Sequence, residues 1–553
     1  MAYYKDIREY VEVLDKKGKL TRINRLINKD TELSPLMRLN FVGLKEPQRT
    51  AFLFDNITDV KGKKYQGSVL LGALGGSEEI YALGMMCPAG EIQEKRAQAE
   101  RNPIEPKLVA TGPCQEEVHM GDQLLAHGGL DEFPIPIFSP GWDPAPAFTA
   151  PAWVTKDPDS GIRNVGNYRV LIKGQAKTGI DFCRPTRGVA IHWNKMRERG
   201  LPLPAAIVIG GPPSIGYCAV VDFPIDVDEL TMAGALAGEA LEIVKCKTVD
   251  IEVPAHAEII VEGLIHTDVL EKEGPFGESI GYMSLTQPRP YFEVTCITHR
   301  KNPVLLGYIS QSQPSESSKI KMLGNGASMY KHLRYAAGFE NVVKVAFSET
   351  SDSIAVMTIV LKNRPKPEET WKVLEEAQKH RADSKIIIAI DDDVDPDNFE
   401  QLIWAISTRF QPHRDSRILT RPCLGLTDVS LAPMEVLEAA REDLSADPKL
   451  PTQSYLLMDC TMKWPMPPVS LPKQEFMDKA IEIWKELGLP ELHLSSMYYG
   501  RDLGYWHPED VQKSKWALAG DYKKTGELQA TQQMPGGPHY PLPADFVAKL
   551  KKR

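Results

Sequence analysis

The N-terminal part of the chain carries one helical pattern followed by two strand-like runs. Apolar residues at positions 7, 10, 11 and 14 recur at helical spacing, and Gly18 then fits a C-terminal cap. Uninterrupted apolar runs at 51–54 and 68–71 predict buried strands. The segment 72–79 predicts a strand-to-helix turn with Ser77 as N-cap, since its glycines lack the spacing of a dinucleotide-binding loop.

Strand patterns dominate the middle of the chain. Residues 130–152 hold too many prolines for a regular helix, which predicts an extended entry into a second domain. From about 150 to 310, apolar runs alternate with glycine and proline turns, and one helix is predicted at 229–244. The predicted strands lie at 168–172, 206–209, 257–262, 291–297 and 303–309.

Helices and strands alternate after residue 315. A strand at 353–361, a helix at 367–380 and a strand at 385–390 predict a βαβ unit, and further helices are predicted at 399–406 and 476–487. The chain has 553 residues, a length for which about three to four domains are expected. The patterns therefore predict a multidomain protein of mixed α+β and α/β class.

Composition narrows the class of protein. The 65 basic and 74 acidic side chains give a net charge of −9 without a clustered basic excess, which argues against a nucleic-acid-binding face. Apolar runs are too short to cross a membrane, and the first residues contain no apolar signal segment. The eight cysteines form no CxxC pair, which excludes zinc ribbons and dithiol motifs and favours a reducing cytoplasm. A large cytoplasmic enzyme is the class that remains.

Two polar groups in the middle region are candidates for acid–base chemistry. Arg169 follows an Asn-Val-Gly-Asn-Tyr run, and its guanidinium could orient a carboxylate or simply pair two strands. Glu273 and Glu278 flank Gly-Pro-Phe-Gly, a sequence that can turn both carboxylates into one cavity. Neighbouring carboxylates raise each other's pKa, so one of them can act as a general acid. The alternative is a surface turn with two solvated acids.

A third group offers oxygen and nitrogen ligands. Asn164, His192 and Glu229 suit Mn²⁺, Mg²⁺ or Fe²⁺ better than a thiol-seeking metal. Each residue also has a structural interpretation: Asp226 and Glu229 fit a helix capping box, and His192 could be a core histidine. Spacing alone does not bring the three together.

The chain closely resembles the UbiD-type decarboxylases, enzymes that use prenylated FMN. The resemblance covers nearly the whole chain, and the two most specific motifs are Asn164-Val-Gly-Asn-Tyr-Arg169 and Glu273-Gly-Pro-Phe-Gly-Glu278. Further matching segments are Val154-Thr-Lys-Asp-Pro158, Leu241-Glu-Ile-Val-Lys-Cys246, Glu258-Ile-Ile-Val-Glu-Gly263, Gly281-Tyr282, Trp404-Ala405, Thr408-Arg409, Arg414-Asp415 and Lys463-Trp464-Pro465.

The resemblance implies a three-domain layout. It predicts an N-terminal α/β domain at 1–130, a central split β-barrel that binds the flavin at 131–315, and a C-terminal α/β oligomerisation domain with an extended tail at 316–553. Family members form dimers or hexamers, and a homohexamer is expected here, with a homodimer as the alternative. Asn164 and Arg169 are an odd number of residues apart, so a strand would place them on opposite faces. We therefore expect a bulge near Gly166, or Asn164 at the start of the strand.

The resemblance also implies the roles of the site residues. Arg169 and Glu273 match the family's arginine and first glutamate, and Glu278 matches its proton donor. Asn164, His192 and Glu229 match the ligands of a divalent metal, usually Mn²⁺, which together with K⁺ connects the protein to the cofactor phosphate. The match to His192 is the loosest, because residues 176–190 are longer than the usual segment. Lys463 matches the lysine that reaches the same phosphate.

The implied activity is reversible decarboxylation of an aromatic or α,β-unsaturated carboxylic acid, through a covalent cofactor adduct that Glu278 protonates. A prenyl-FMN synthase of the UbiX type would supply the cofactor. An aroyl-CoA such as phthaloyl-CoA is the alternative substrate, and a catalytic or non-catalytic subunit of a phenolic carboxylase complex is the alternative role. The substrate, the physiological direction and the divalent metal are not determined by the sequence.

Overall fold

The computed structural model describes residues 2–182, 185–221, 223–351, 355–380, 384–422, 430–431, 452–494 and 497–532. It divides into two compact units, Met1–Thr461 and Met462–Arg553. Elements are numbered in chain order. Within the described residues, no helix is long and apolar enough to cross a lipid bilayer.

The first unit begins with a small mixed sheet. Its order is β1 (Leu20–Ile23), β3 (Ala51–Phe54), β5 (Ser68–Leu71) and β20 (Val304–Gly307), and β2 (Ile27–Asn28) pairs with β4 (Ile57–Thr58) beside it. The predicted first helix is α1 (Ile7–Lys16), which buries all four apolar positions of the pattern. Four further helices lie in this part of the chain: α2 (Leu33–Gly43), α3 (Glu78–Met85), α4 (Ile92–Arg101) and α5 (Asp122–Ala126). Ser77 caps α3 as predicted, accepting a hydrogen bond from the Ile80 amide.

A nine-stranded antiparallel sheet forms the middle of the unit. Its order is β10 (Arg163–Asn167), β9 (Ala152–Lys156), β13 (Leu203–Ile209), β16 (Ile259–Ile265), β19 (Tyr291–His299), β12 (Lys177–Gly179), β11 (Val170–Gly174) and β8 (Ala147–Phe148), with β7 (Glu117–Met120) on β19. Only Tyr168 and Arg169 separate β10 from β11 along the chain, yet five strands lie between them in the sheet. The sheet must curl until its two ends meet, which is the predicted split barrel.

Smaller elements surround the curled sheet. A three-stranded sheet contains β15 (Glu252–Pro254), β14 (Glu242–Lys245) and β6 (Lys107–Leu108), and β17 (Glu271–Glu273) pairs with β18 (Gln287–Arg289). The helices here are α6 (Gly188–Glu198), α7 (Pro213–Ala219) and α8 (Glu229–Ala237). These elements carry three of the candidate site residues: His192 on α6, Glu229 on α8 and Glu273 on β17.

The last part of the first unit is a five-stranded mixed sheet. Its order is β21 (Val342–Phe347), β22 (Val356–Leu361), β23 (Ile386–Asp391), β25 (Thr452–Asp459) and β24 (Ser416–Pro422). Its helices are α9 (Glu316–Lys331), α10 (Pro367–His380), α11 (Phe399–Arg409) and α12 (Pro412–Asp415). β22 and β23 are parallel and joined through α10, which confirms the predicted βαβ unit.

The second unit contains three helices, α13 (Gln474–Glu486), α14 (Pro508–Leu518) and α15 (Lys523–Thr531). The first of them confirms the predicted helix at 476–487 to within two residues at its start. No residue of these three helices is buried within the described structure, although α13 carries apolar side chains such as Phe476 and Ile483.

Two sequence predictions about local structure were wrong, and of the two alternatives given for Asn164 the structure has the position at the start of the strand and not the bulge. The helix predicted at 229–244 ends at Ala237, because Gly238 adopts a left-handed cap with φ of 76° and β14 follows. The capping residue of that helix is Asp228 and not Asp226. There is no bulge at Gly166: β10 pairs with β9 in unbroken register from Arg163 to Asn167. Asn164 is the second residue of that strand, whereas Arg169 stands just before the next one.

Three strands join sheets across the predicted domain limits, and one of them is β6, which pairs with β14 of the predicted central domain. β20 extends the N-terminal sheet although residue 304 falls in the predicted central domain, and β7 extends the central sheet although residue 117 falls in the predicted N-terminal domain. The division at 130 and 315 stays a prediction.

Candidate functional site

Arg169 lies at the centre of a buried cluster of carboxylates. It stands in the two-residue connection between β10 and β11, and its side chain is 7% exposed. Its Nη2 donates to Glu273 Oε2 at 2.6 Å and its Nε to Glu273 Oε1 at 3.3 Å, a bidentate pair. Its Nη1 donates to Glu278 and, at 3.2 Å, to Ser284 Oγ. The structure therefore brings together the three residues Arg169, Glu273 and Glu278.

The loop after β17 positions the two glutamates differently. Glu273, the last residue of β17, has a fully buried side chain, whereas the Glu278 side chain is 28% exposed. Gly274 between them has φ of 95°, a conformation that favours glycine. The Phe276 ring lies under the Arg169 guanidinium at 5.4 Å and is buried. One carboxylate is thus fixed on the arginine, and the other is accessible to a small molecule.

Asp181 is a fourth member of the cluster that the sequence did not reveal. Its Oδ2 lies 3.0 Å from Arg169 Nη2, and its Oδ1 accepts from Arg289 Nε at 2.8 Å. The Asp181 side chain is 8% exposed. Asp181 follows β12 and Arg289 ends β18, so the hairpin and the curled sheet are held together at Arg169. No spacing pattern links these residues, because they meet only when the sheet curls.

Burial and neighbouring charges shift the pKa values of Glu278 and Arg169 in this cluster. Burial raises the pKa of Glu278, and the charges of Asp181 and Glu273 raise it further, against the lowering effect of Arg169 and Lys321. Burial alone would lower the pKa of Arg169, but Glu278, Asp181 and Glu273 outweigh it and raise the pKa. Arg169 therefore stays charged, whereas burial and the two neighbouring acids favour the protonated form of Glu278.

The oxygen and nitrogen ligands also converge, through β9 and β10. Asn164 is paired across these strands with Thr155, which places their side chains on one face. His192, on α6, has Nδ1 2.8 Å from Thr155 Oγ1. Glu229 Oε2 accepts from the amide of Val165 at 2.7 Å.

The first residue of α6, Gly188, packs closely against the side chain of Asn164. A Cβ built on Gly188, the first residue of that helix, would lie 1.9 Å from Asn164 Oδ1. Only glycine lets the helix approach Asn164 so closely. The predicted metal ligands thus share one small region.

The chemistry of this group fits a cation. Nε2 of His192 is buried without a hydrogen-bond partner, and burial lowers the pKa of His192 to about 4, so the ring is neutral with a lone pair available. Burial raises the pKa of Glu229 to about 8, and Asp228 adds to that effect, against hydrogen bonds from the Val165 and Glu229 amides. A cation beside Glu229 would relieve the cost of burying its charge. The interpretation of His192 as a satisfied core histidine accounts for Nδ1 but leaves Nε2 unexplained.

Lys463 lies in the second unit and follows Met462, its first residue. Its proposed contact with the cofactor stays a prediction. Sequence reasoning missed Asp181, Arg289, Ser284 and Thr155. It also missed α6, although Val189, His192 and Trp193 are buried at helical spacing and gave a weak signal for it.

Residues 107–313 match the Rift-related domain of the 3-octaprenyl-4-hydroxybenzoate carboxy-lyase (UbiD) family, and residues 322–433 match its C-terminal domain. A curated relative, an uncharacterised protein of Archaeoglobus fulgidus, is 29% identical over 447 residues, which is 75% of this chain and 86% of the relative.

Two solved structures share the fold. One is an evolved dimeric form of the UbiD-class enzyme HmfF from Pelotomaculum thermopropionicum in complex with prFMN, with 28% identity and a TM-score of 0.72, covering 86% of this chain and 98% of that one. The other is the closed form of vanillic acid decarboxylase from Sedimentibacter hydroxybenzoicus, with 27% identity and a TM-score of 0.72, covering 88% and 100%.

The fold and the matched domains define a multidomain carboxy-lyase built around a curled antiparallel sheet. The chain belongs to the UbiD family of decarboxylases. The resemblance found in the sequence is thereby confirmed at the level of family, fold and enzyme class.

Proposed function

We propose that this protein is a prenylated-FMN-dependent decarboxylase of aromatic or α,β-unsaturated acids, in which Arg169 orients the substrate carboxylate and Glu278 donates the proton. The observation that carries the proposal is the convergence of Arg169, Glu273 and Glu278 in one cluster. A scaffold subunit has no need of a buried arginine surrounded by acids, which disfavours the non-catalytic alternative.

Asn164, His192 and Glu229 would hold the divalent cation, Mn²⁺ or else Fe²⁺ or Mg²⁺, beside the cofactor phosphate, with K⁺ sharing Glu229. The buried free Nε2 of His192 supports this assignment. Only five residues separate Asn164 from Arg169, so the two groups are at most about 18 Å apart along an extended chain. An elongated flavin nucleotide can therefore reach both. When bound, the prenylated flavin supplies the electron sink for decarboxylation.

The residues of this chain would then act in sequence. Arg169 presents its guanidinium to the substrate carboxylate while Glu273 holds it in place from the opposite side. The partly apolar surroundings, including Phe276, keep water from the carboxylate that leaves as CO₂. Glu278 carries a proton because its pKa is raised, and it delivers that proton to the carbon that has lost CO₂.

The test is a comparison of two glutamate variants in holoenzyme made by co-expression with a UbiX-type prenyl-FMN synthase. Glu278→Gln should retain flavin and Mn²⁺ but lose about 10²–10⁴-fold in CO₂ release and in substrate proton exchange. Glu271→Gln is the matched control, because Glu271 pairs with Lys173 and Lys177 and not with Arg169. An active, exchanging Glu278→Gln enzyme would remove Glu278 from its role.

The same holoenzyme preparation is used to determine the substrate class. Aryl acids, α,β-unsaturated acids and aroyl-CoA thioesters are offered in parallel, with CO₂ release as the readout. Turnover of free acids supports the proposal, whereas turnover of thioesters alone assigns the aroyl-CoA alternative. A protein that takes up no flavin would contradict the proposed function as a whole.

A further inference from the structure

A cluster of three histidines and one glutamate lies far from the site described above. His119 stands on β7, His127 follows α5, Glu132 ends the short turn Gly129–Glu132, and His299 ends β19. Ligand atoms of His119, His127 and Glu132 all lie within 4.8 Å of one another. The carboxylate cluster is near the opposite end of β19, since a Cβ on Gly179 would meet Glu273 and Gly179 pairs with Tyr291. Eight residues along the strand correspond to about 26 Å.

The orientation of His299 is the most informative feature. Its Nδ1 lies 2.8 Å from the carbonyl oxygen of Arg300, which can only accept, so Nδ1 carries the hydrogen. The remaining nitrogen, Nε2, is buried without a hydrogen bond of normal geometry, in a residue that is 6% exposed. Its nearest recorded acceptor is Glu132 Oε1, at 3.5 Å. In the neutral ring a lone pair thus faces a carboxylate, an arrangement that becomes favourable when a proton or a metal cation lies between them. Burial lowers the pKa of His299, but Glu132 and the Arg300 carbonyl outweigh that effect and raise it, so a proton competes with a metal here.

His119 lies on the other side of Glu132. Its Nδ1 forms a hydrogen bond of 3.0 Å with Glu132 Oε2, and the residue is 6% exposed. In a tetrahedral zinc site with bonds of about 2.0–2.1 Å, neighbouring ligand atoms are about 3.3 Å apart. The spacings of 3.0 and 3.5 Å are close to that value, but they involve the two different oxygens of Glu132, so the carboxylate must turn for one oxygen to serve as the ligand.

From this cluster we propose a structural site for a borderline transition metal of the Zn²⁺ class, with His119, His127, His299 and Glu132 as ligands. Three imidazoles and one carboxylate suit Zn²⁺, Co²⁺ or Ni²⁺ better than Mg²⁺ or Ca²⁺. Four protein ligands leave no open position, which is typical of structural sites. The metal would fasten the end of β19 to β7 and to the turn that leads into the proline-rich segment.

One ring must move for the metal to bind. His119 and His127 stack with centroids 3.8 Å apart and planes 15° from parallel, so their in-plane lone pairs run side by side. His127 is exposed and follows a short helix, so its ring can turn towards the other ligands without disturbing the core. His119 and His299 are held already, by β7 and β19 pairing at His119–Ile297 and Glu117–His299.

Co²⁺ is the probe that tests this site. Chelator-stripped full-length protein is titrated with Co²⁺ at about pH 7.5, where unperturbed histidines are neutral. A four-coordinate site of three imidazoles and a carboxylate gives intense visible d–d bands, while an octahedral oxygen-rich site gives weak ones. We expect one equivalent of intense absorption, displaced by Zn²⁺.

His127→Ala is the decisive variant, because an exposed residue can be removed without loss of folding. It should weaken Co²⁺ binding at least tenfold, and Glu132→Gln should do the same. His256→Ala is the matched control: His256 pairs with Glu242 outside the cluster and should leave binding unchanged. Co²⁺ that survives His127→Ala but is lost in His192→Ala belongs to the flavin-linked site. Absence of the intense bands in the unmodified protein would show that a proton alone fills the cluster, and their persistence in both His127→Ala and His192→Ala would place the Co²⁺ outside both sites.

Discussion

Thr155 offers a sharp test of how the proposed Mn²⁺ site is organised. Its Oγ1 lies 2.8 Å from His192 Nδ1, and both residues are buried, at 0% and 1% exposure. For Nε2 to bind a metal, Nδ1 must carry the hydrogen and donate it to Thr155. Thr155→Val keeps the shape of the side chain and removes the acceptor, so Mn²⁺ binding would force a buried N–H to remain without a partner.

The size of the effect follows from that hydrogen bond. An unsatisfied buried donor costs about 1–3 kcal/mol. Loss of a partner that orients a metal-binding histidine typically reduces metal affinity about 10–100-fold, or about 1.4–2.7 kcal/mol. The two figures agree, and we therefore expect the Mn²⁺ dissociation constant of Thr155→Val to rise by about 10–100-fold.

The assay is titration of chelator-stripped protein with Mn²⁺, with free Mn²⁺ measured by electron paramagnetic resonance. Thr155→Ser is the matched control, because it keeps the hydroxyl and loses only a methyl group. Its affinity should stay close to that of the unmodified protein. Equal Mn²⁺ affinities for Thr155→Val and Thr155→Ser would refute the role given to His192 Nε2.

Three further outcomes are expected. Burial raises the pKa of Glu229 to about 8, so a proton competes with the metal for this carboxylate below that pH. The Mn²⁺ affinity should therefore rise up to tenfold per pH unit between about pH 6 and 8, as measured by the same titration. Gly188→Ala places a methyl 1.9 Å from Asn164 Oδ1 and should abolish Mn²⁺ binding in a protein that still melts cooperatively. Asp181→Asn removes a charge that raises the pKa of Glu278, so the alkaline limb of the pH–rate profile should move to lower pH; an unmoved limb would assign it to another group.

The sequence predicted local elements well wherever one pattern decided them. The helix α1, the strands β3 and β5 and the helix α10 have the predicted bounds or nearly so, because the helices have a regular apolar period and the strands an uninterrupted apolar run. The end of α8 could have been placed too, since Gly238 stands at the left-handed position that stops it.

The sequence did not predict which distant strands and side chains come together. Asn164 and Arg169 belong to different structural contexts because the chain leaves the sheet at one edge and re-enters at the other, and no periodicity records that curl. The same curl places Asp181 on Arg169, 12 residues further along the chain. The motifs named the central residues of the site through family resemblance, whereas the residues that orient them follow only from the tertiary structure.

Charge balance explains why a proton should reside on Glu278 when substrate arrives. The charged groups around the site include three cations, Arg169, Arg289 and Lys321, and three carboxyl groups that contact Arg169, namely Asp181, Glu273 and Glu278. A fourth carboxyl group, Asp143, also interacts electrostatically with Arg169. A substrate carboxylate adds one more negative charge without a matching cation. Among the three carboxyl groups that contact Arg169, Glu273 is fully buried in a bidentate pair and Asp181 is shared by two arginines. Glu278 is the one with a raised pKa and an exposed edge, and so uptake of the anionic substrate should itself load the proton that the product needs.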